Sequence, residues 1–148
     1  MDIRGKKVLV FGSGISGEAA ACLLVRQGAE VILYDGNGKL REEDIRKKVP
    51  ADVRIVLGTF PDSLTEELDL TVISPGVPTD LPVVDRMRKL GIPIWGEVEL
   101  AYRYTKGDVL AITGTNGKTT TTTLLGEIMK KYRESVFVVG NIGRPYTS

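Results

Sequence analysis

Short apolar runs alternate along this chain with longer segments whose apolar residues recur at helical spacing. The run Val8 to Phe11 predicts a strand over residues 6–11. Ile15, Ala19, Ala20, Leu23 and Leu24 predict a helix over 15–27, stopped by Gly28. A second strand is expected over 30–34, closed by Asp35 and the glycines at 36 and 38. The charged stretch 41–48 predicts a short exposed helix, and further strands are expected near 53–57 and 70–73. Residues 81–90 and 97–104 read as helices, with a short strand at 92–94 between them. Past a joint at Thr105 to Gly107 the pattern resumes as strand 109–112, helix 118–132 and strand 136–139.

Alternation of this kind implies parallel pairing with crossover helices. The expected class is α/β. A Rossmann-like parallel sheet fills residues 1–106, and the first part of a P-loop α/β domain fills 107–148. One strand–helix–strand unit cannot cover both faces of a parallel sheet, so the second domain is expected to be incomplete within this sequence.

Two of the strand-to-helix junctions carry glycine signatures. Gly12, Gly14 and Gly17 have the spacing of the dinucleotide fingerprint, and Asp35 lies at the end of the following strand. Gly12 would make the turn, Gly14 would let a pyrophosphate approach the backbone, and Gly17 would bring helix against strand. Asp35 would accept hydrogen bonds from a ribose or a base. The spacing does not distinguish NAD, a flavin or a nucleotide sugar.

The second junction is Gly114-Thr115-Asn116-Gly117-Lys118-Thr119-Thr120. Its backbone N–H groups suit phosphate, Lys118 suits the β/γ charge of a nucleoside triphosphate, and a Thr119 or Thr120 hydroxyl suits Mg²⁺. It departs from the common P-loop spacing, which would put glycine at 112, where the chain has Ile112. Five consecutive threonines at 119–123 cost helix propensity unless some hydroxyls bind a ligand.

Composition narrows the classes. Twenty basic against nineteen acidic residues leave a net charge of +1, which gives no electrostatic case for nucleic acid or an anionic membrane. No apolar run approaches bilayer length, and the N-terminus reads as a first strand and not a leader, so a cytoplasmic location is expected. The chain has no histidine, which removes triads and histidine acid–base chemistry. Cys22 stands alone and is expected as a small core residue. Trp95 is expected to pack between the two units, and Glu97 and Glu99 to favour a helix first turn.

The loop at 114–120 resembles the ATP loop of the Mur ligases, the amide-forming enzymes of peptidoglycan precursor synthesis. Three further features are similar to the branch of that family that adds D-glutamate. They are the glycine turn at 12–17, the turn Ser74-Pro75-Gly76-Val77-Pro78, and the segment Gly140 to Pro145. Asn116 is similar to that branch too, because the alanine-adding relatives usually carry histidine there.

The resemblance implies that the backbone of Ile15, Ser16 and Gly17 holds the diphosphate of a UDP-sugar. It also implies that Asp35 meets the uracil, that Gly76 lies against the same ligand, and that Asn141 approaches its sugar end. It implies ATP at Gly114, Thr115, Asn116, Gly117, Lys118, Thr119 and Thr120, with Lys118 catalytic and Thr119 on magnesium. Some relatives carry a hydroxyl residue where this chain has Gly36. The implied partners are UDP-N-acetylmuramoyl-L-alanine and D-glutamate; the protein is expected to be a monomer that neither binds nucleic acid nor inserts in a membrane. Alternatives left open are a nicotinamide-dependent oxidoreductase, a non-catalytic nucleotide sensor and another Mur ligase.

Overall fold

The computed structural model describes residues 2–140 and 144–148. Five parallel strands form one sheet: β1 Lys7–Phe11, β2 Glu30–Asp35, β3 Arg54–Leu57, β4 Leu70–Ile73 and β5 Ile94–Gly96. Their spatial order is β3-β2-β1-β4-β5. The helices are α1 Ile15–Arg26, α2 Glu42–Arg46, α3 Pro82–Lys89, α4 Glu97–Tyr104 and α5 Lys118–Met129, with a 3₁₀ turn over Asp62–Glu67.

Strand β1 sits at the centre because its run is apolar on both faces. Val8 and Val10 point into one core with Ala20, Ala21 and Leu24 of α1 and Leu100 of α4. Leu9 and Phe11 point into the other, with Leu64, Val84 and Met87. The two-residue period of the strand divides the side chains between the layers. In α1 the buried stripe is Gly17, Ala20, Ala21 and Leu24, one position round from the expected one. Ile15 is 74% exposed and belongs to the rim and not the core.

Strand β5 lies two residues later than expected. Pro93 has no N–H to give a ladder, so it precedes the strand, and its carbonyl accepts from Thr71 N–H at 2.9 Å. Trp95 is buried in the core shared with α1 and α4, which corrects its expected place between units. Arg103 of α4 lies over its ring, 4.1 Å from the centroid. Cys22 is only half-buried, its thiol 3.6 Å from the Lys48 carbonyl.

The strands expected at 109–112 and 136–139 are not formed. Neither segment joins the five-stranded sheet or pairs with the other, and the second has a single bridge, Val139 with Arg144. A parallel strand needs ladder neighbours on its edges, and none is present for these among the described residues. Helix α5 does form, and Val138 lies close against its Gly126. Residues 144–148 dock on α4. The Thr147 hydroxyl donates to buried Glu97 at 3.1 Å, and the hydroxyls of Thr105 and Tyr146 meet at 2.7 Å.

Candidate functional site

The sheet order reverses direction between β1 and β4, and the crevice at the carboxyl ends of those strands is where open α/β sheets receive ligands. The loops following β1, β2 and β4 converge there. Gly12 has φ +104°, a conformation that favours glycine, and its N–H donates to the Tyr34 carbonyl at 2.8 Å. A Cβ on Gly12 would press on Val77 and Ser74. A Cβ on Gly17 would lie 1.8 Å from the Gly12 carbonyl oxygen, so only glycine lets α1 start so close to β1.

Gly14 differs from both. Its φ of −70° and ψ of −179° suit any residue, and an added Cβ would meet nothing within 4 Å. Gly76, in the turn after β4, is equally free of internal contacts. Neither glycine is required by the fold around it. Their bareness is an advantage only to something that approaches from outside.

Gly14 is also the N-cap of α1 and offers no side-chain cap; the first helical bond runs from Glu18 N–H to Gly14 carbonyl at 2.9 Å. The N–H groups of Ile15, Ser16 and Gly17 therefore begin a helix uncapped by a side chain, at its positive end. Helix starts of this kind suit anions.

Asp35 closes the turn from the β2 side. Its Oδ2 accepts from the Ser13 N–H at 2.9 Å and the Ser13 hydroxyl at 2.7 Å, and its Oδ1 accepts from the Asn37 N–H at 2.9 Å. Burial alone would push the Asp35 pKa up. The N–H groups of Ser13 and Asn37 and the Ser13 hydroxyl outweigh it, so the carboxyl titrates below its ordinary range. Ser74 Oγ lies 3.4 Å from the Gly12 carbonyl, linking the β4 loop to the glycine turn. Tyr34, stacked edge-on with Phe11 and Phe60, donates its hydroxyl to the Gly58 carbonyl at 2.9 Å and ties down the loop after β3. A Cβ on Gly36 would touch that Tyr34 hydroxyl at an ordinary 3.5 Å.

The second junction stands apart. Gly114 and Gly117 have φ of +152° and +74°, both in the region that favours glycine. Gly117 caps α5 without a side-chain bond, and Thr121 N–H reaches its carbonyl at 2.9 Å. Lys118 folds back on the loop, donating to the Gly114 carbonyl and lying 3.5 Å from that of Thr115. Residues 113–121 are exposed. Among the described residues no hydrogen bond joins this loop to the turn at 12–17.

The structure thus brings Ile15, Ser16, Gly17, Asp35 and Gly76 to the carboxyl ends of the central strands, and Gly114 to Thr120 to a separate helix start. Asn141 lies outside the described residues. The pattern reading passed over Ser13, the unspecified position between two signature glycines. A hydroxyl residue there, with an aspartate at the next strand end, was the available signal.

A glycine turn and uncapped helix at the switch point of a parallel sheet are the arrangement of the α/β domains that take nucleotides. Residues 6–96 match the Mur ligase MurD-like N-terminal domain. The chain belongs to that family. A UDP-N-acetylmuramoylalanine–D-glutamate ligase from Lachnoclostridium phytofermentans is 58% identical over 149 residues, covering 99% of this chain and 33% of the relative. Among solved structures, the UDP-N-acetylmuramate–alanine ligase of Thermotoga maritima aligns with TM-score 0.56 and 27% identity over 88% of this chain and 30% of its own. A murein peptide ligase from Psychrobacter arcticus aligns with TM-score 0.59 and 25% identity, over 86% and 27%. The chain spans about a third of the length of the curated relatives it matches.

Proposed function

We propose that this chain supplies the UDP-sugar domain and the ATP loop of an amide ligase that joins D-glutamate to UDP-N-acetylmuramoyl-L-alanine. The observation that carries the reading is the pair of glycine turns, each opening onto a helix start with no side-chain cap. One relative that covers nearly the whole chain at 58% identity bears that activity in its name.

Residues 1–106 hold the uridylated substrate, with its diphosphate on the N–H groups of Ile15, Ser16 and Gly17 and its nucleoside toward Asp35 and Gly76. Asn141 meets its sugar end. Residues 107–148 begin the ATP domain, where Gly114 to Thr120 receive the triphosphate. The alanine carboxylate attacks the γ-phosphorus of ATP, giving an acyl phosphate and ADP. The amine of D-glutamate then attacks the acyl carbon, phosphate leaves, and the amide remains after loss of a proton. Lys118 swings from its loop carbonyls to the transferring phosphoryl group and offsets its charge; this is electrostatic and positional catalysis.

Magnesium accompanying ATP neutralises phosphate charge. Among this chain's residues, a hydroxyl at the start of α5 would hold the ion. Exposed Thr119 is a hard oxygen donor of the kind magnesium accepts. The reaction belongs in the cytoplasm, and among the described residues no helix is long and apolar enough to cross a membrane.

The test is ADP release by the full-length enzyme given ATP, UDP-N-acetylmuramoyl-L-alanine and D-glutamate, with release requiring all three. Lys118→Ala should lower kcat by about a hundredfold or more, the scale of losing one preorganised electrostatic contact. Lys118 is solvent-exposed at a helix start, so the variant should melt with the parent. Near-normal turnover by this variant would remove Lys118 from its role.

A further inference from the structure

Asp35 faces the crevice with most of its acceptor capacity already used. A carboxylate oxygen offers two lone pairs. Oδ2 takes both the N–H and the hydroxyl of Ser13, at 2.9 and 2.7 Å, and is therefore full. Oδ1 takes one N–H, from Asn37 at 2.9 Å, and keeps one lone pair. Ser13 is buried and Asp35 half-buried, and the turn holds the two together.

From this geometry we propose that Ser13 is a specificity-determining positioning residue, which limits Asp35 to accepting one hydrogen bond from the nucleoside, through Oδ1. The inference rests on the proposed uridine-nucleotide reading of this crevice and adds to it. A carboxylate with both oxygens open can take the two hydroxyls of a ribose cis-diol, one on each oxygen. Asp35 cannot do so while Ser13 fills Oδ2. It suits a ligand that offers one donor at this point, such as a pyrimidine imide N–H or a single hydroxyl, and it penalises nucleosides that seek bidentate capture of the ribose. A buried donor left without an acceptor is the cost that enforces the choice.

Ser13 also orients the carboxylate. Its hydroxyl and N–H converge on one oxygen, which fixes the plane of the group and aims the remaining lone pair of Oδ1.

The experiment is isothermal titration of the intact protein with UDP, its N3-methyl, 2′-deoxy and 3′-deoxy analogues, and NADH, repeated on Ser13→Ala, Ser13→Thr and Asp35→Ala. In the parent, one of the three UDP modifications should weaken binding by about tenfold or more, and that loss should vanish in Asp35→Ala. Ser13→Ala, which frees a lone pair on Oδ2, should weaken UDP binding and reduce the discrimination between UDP and NADH. Ser13→Thr, which keeps the hydroxyl, should restore both. Circular dichroism confirms that each variant is folded. Two modifications that both lose their effect in Asp35→Ala would overturn the one-acceptor limit. Ser13→Ala with unchanged discrimination would overturn the role of Ser13. Failure of the parent to bind UDP at all would overturn the uridine reading itself, and the inference with it.

Discussion

Alanine placed at Gly14 and at Gly17 should part ligand approach from folding, although the two residues share one turn. At Gly14 the backbone already suits alanine, with φ −70° and ψ −179°, and the new methyl meets nothing within 4 Å. Two small effects oppose each other there. Alanine is a poorer N-cap than glycine by about 0.5–1 kcal/mol, and it restricts the unfolded chain by about 0.4–1 kcal/mol in favour of the folded state. Their sum is within about 0.5 kcal/mol of zero, a shift in Tm of roughly 2 °C or less.

At Gly17 the methyl falls 1.8 Å from the Gly12 carbonyl oxygen and 2.9 Å from its carbon. A carbon–oxygen contact needs about 3.3 Å, so one backbone must move by about 1.5 Å. Overpacking of this kind costs about 1–3 kcal/mol or more, against which better helix propensity returns up to about 1 kcal/mol. The net loss of about 2 kcal/mol should lower Tm by roughly 5–10 °C. Thermal melts and UDP titrations of both variants are the assay. Gly14→Ala should melt with the parent yet bind UDP about tenfold more weakly or worse, because its methyl occupies the space a pyrophosphate needs. Parent-like UDP affinity in Gly14→Ala would refute the approach of phosphate to that backbone. A parent-like melt in Gly17→Ala would refute the packing described for the turn.

Three further outcomes are expected. The Asp35 pKa is depressed on folding, so its contribution is present above the unfolded value near 3.8 and is lost as pH falls through the lower folded value. Urea midpoints measured from neutral pH downward should therefore fall less steeply in Asp35→Asn than in the parent; equal slopes would refute the assignment. Arg103→Ala removes a cation from the ring of Trp95, the sole tryptophan. It should cost about 0.5–1 kcal/mol and shift the emission to the red as water gains access, so an unchanged spectrum would count against the contact. Leu24→Ala, at a fully buried site between α1 and the sheet, should cost about 2–5 kcal/mol by urea denaturation, and a loss under about 1 kcal/mol would show that the core is looser than its packing implies.

Much of the N-terminal layer was legible because each strand there is a short apolar run closed by glycine, proline or aspartate. The 3₁₀ turn at Asp62–Glu67 was not, since its only apolar contribution is Leu64, with Leu68 just after it, too short a pattern to show a period. The buried face of α1 was only roughly legible for a related reason: spacing finds a stripe but not its exact angle, and α1 turns the stripe to Gly17, where contact with Gly12 is closest. At the site, the signature glycines were legible from their spacing: Gly12 has a conformational duty and Gly17 a steric one, while Gly14 has neither within the fold. What Ser13 does was not, because its partner Asp35 comes within reach only when β1 and β2 pair in register, with Phe11 opposite Tyr34.

The segment 109–112 makes the same point from the other side. Val109 to Ile112 matches Val8 to Phe11 in apolar character, and both run into a glycine turn and a helix. Val8 to Phe11 lies between β2 and β4 and is buried, whereas Val109 and Leu110 are 41% and 62% exposed. Composition states what a strand needs, and neighbours decide whether it has it. The glycine loop at 114–117 survives this difference. Its shape is set by the φ of Gly114 and Gly117 and by the first turn of α5, all of which are local, while the strand before it depends on a ladder that local sequence cannot supply.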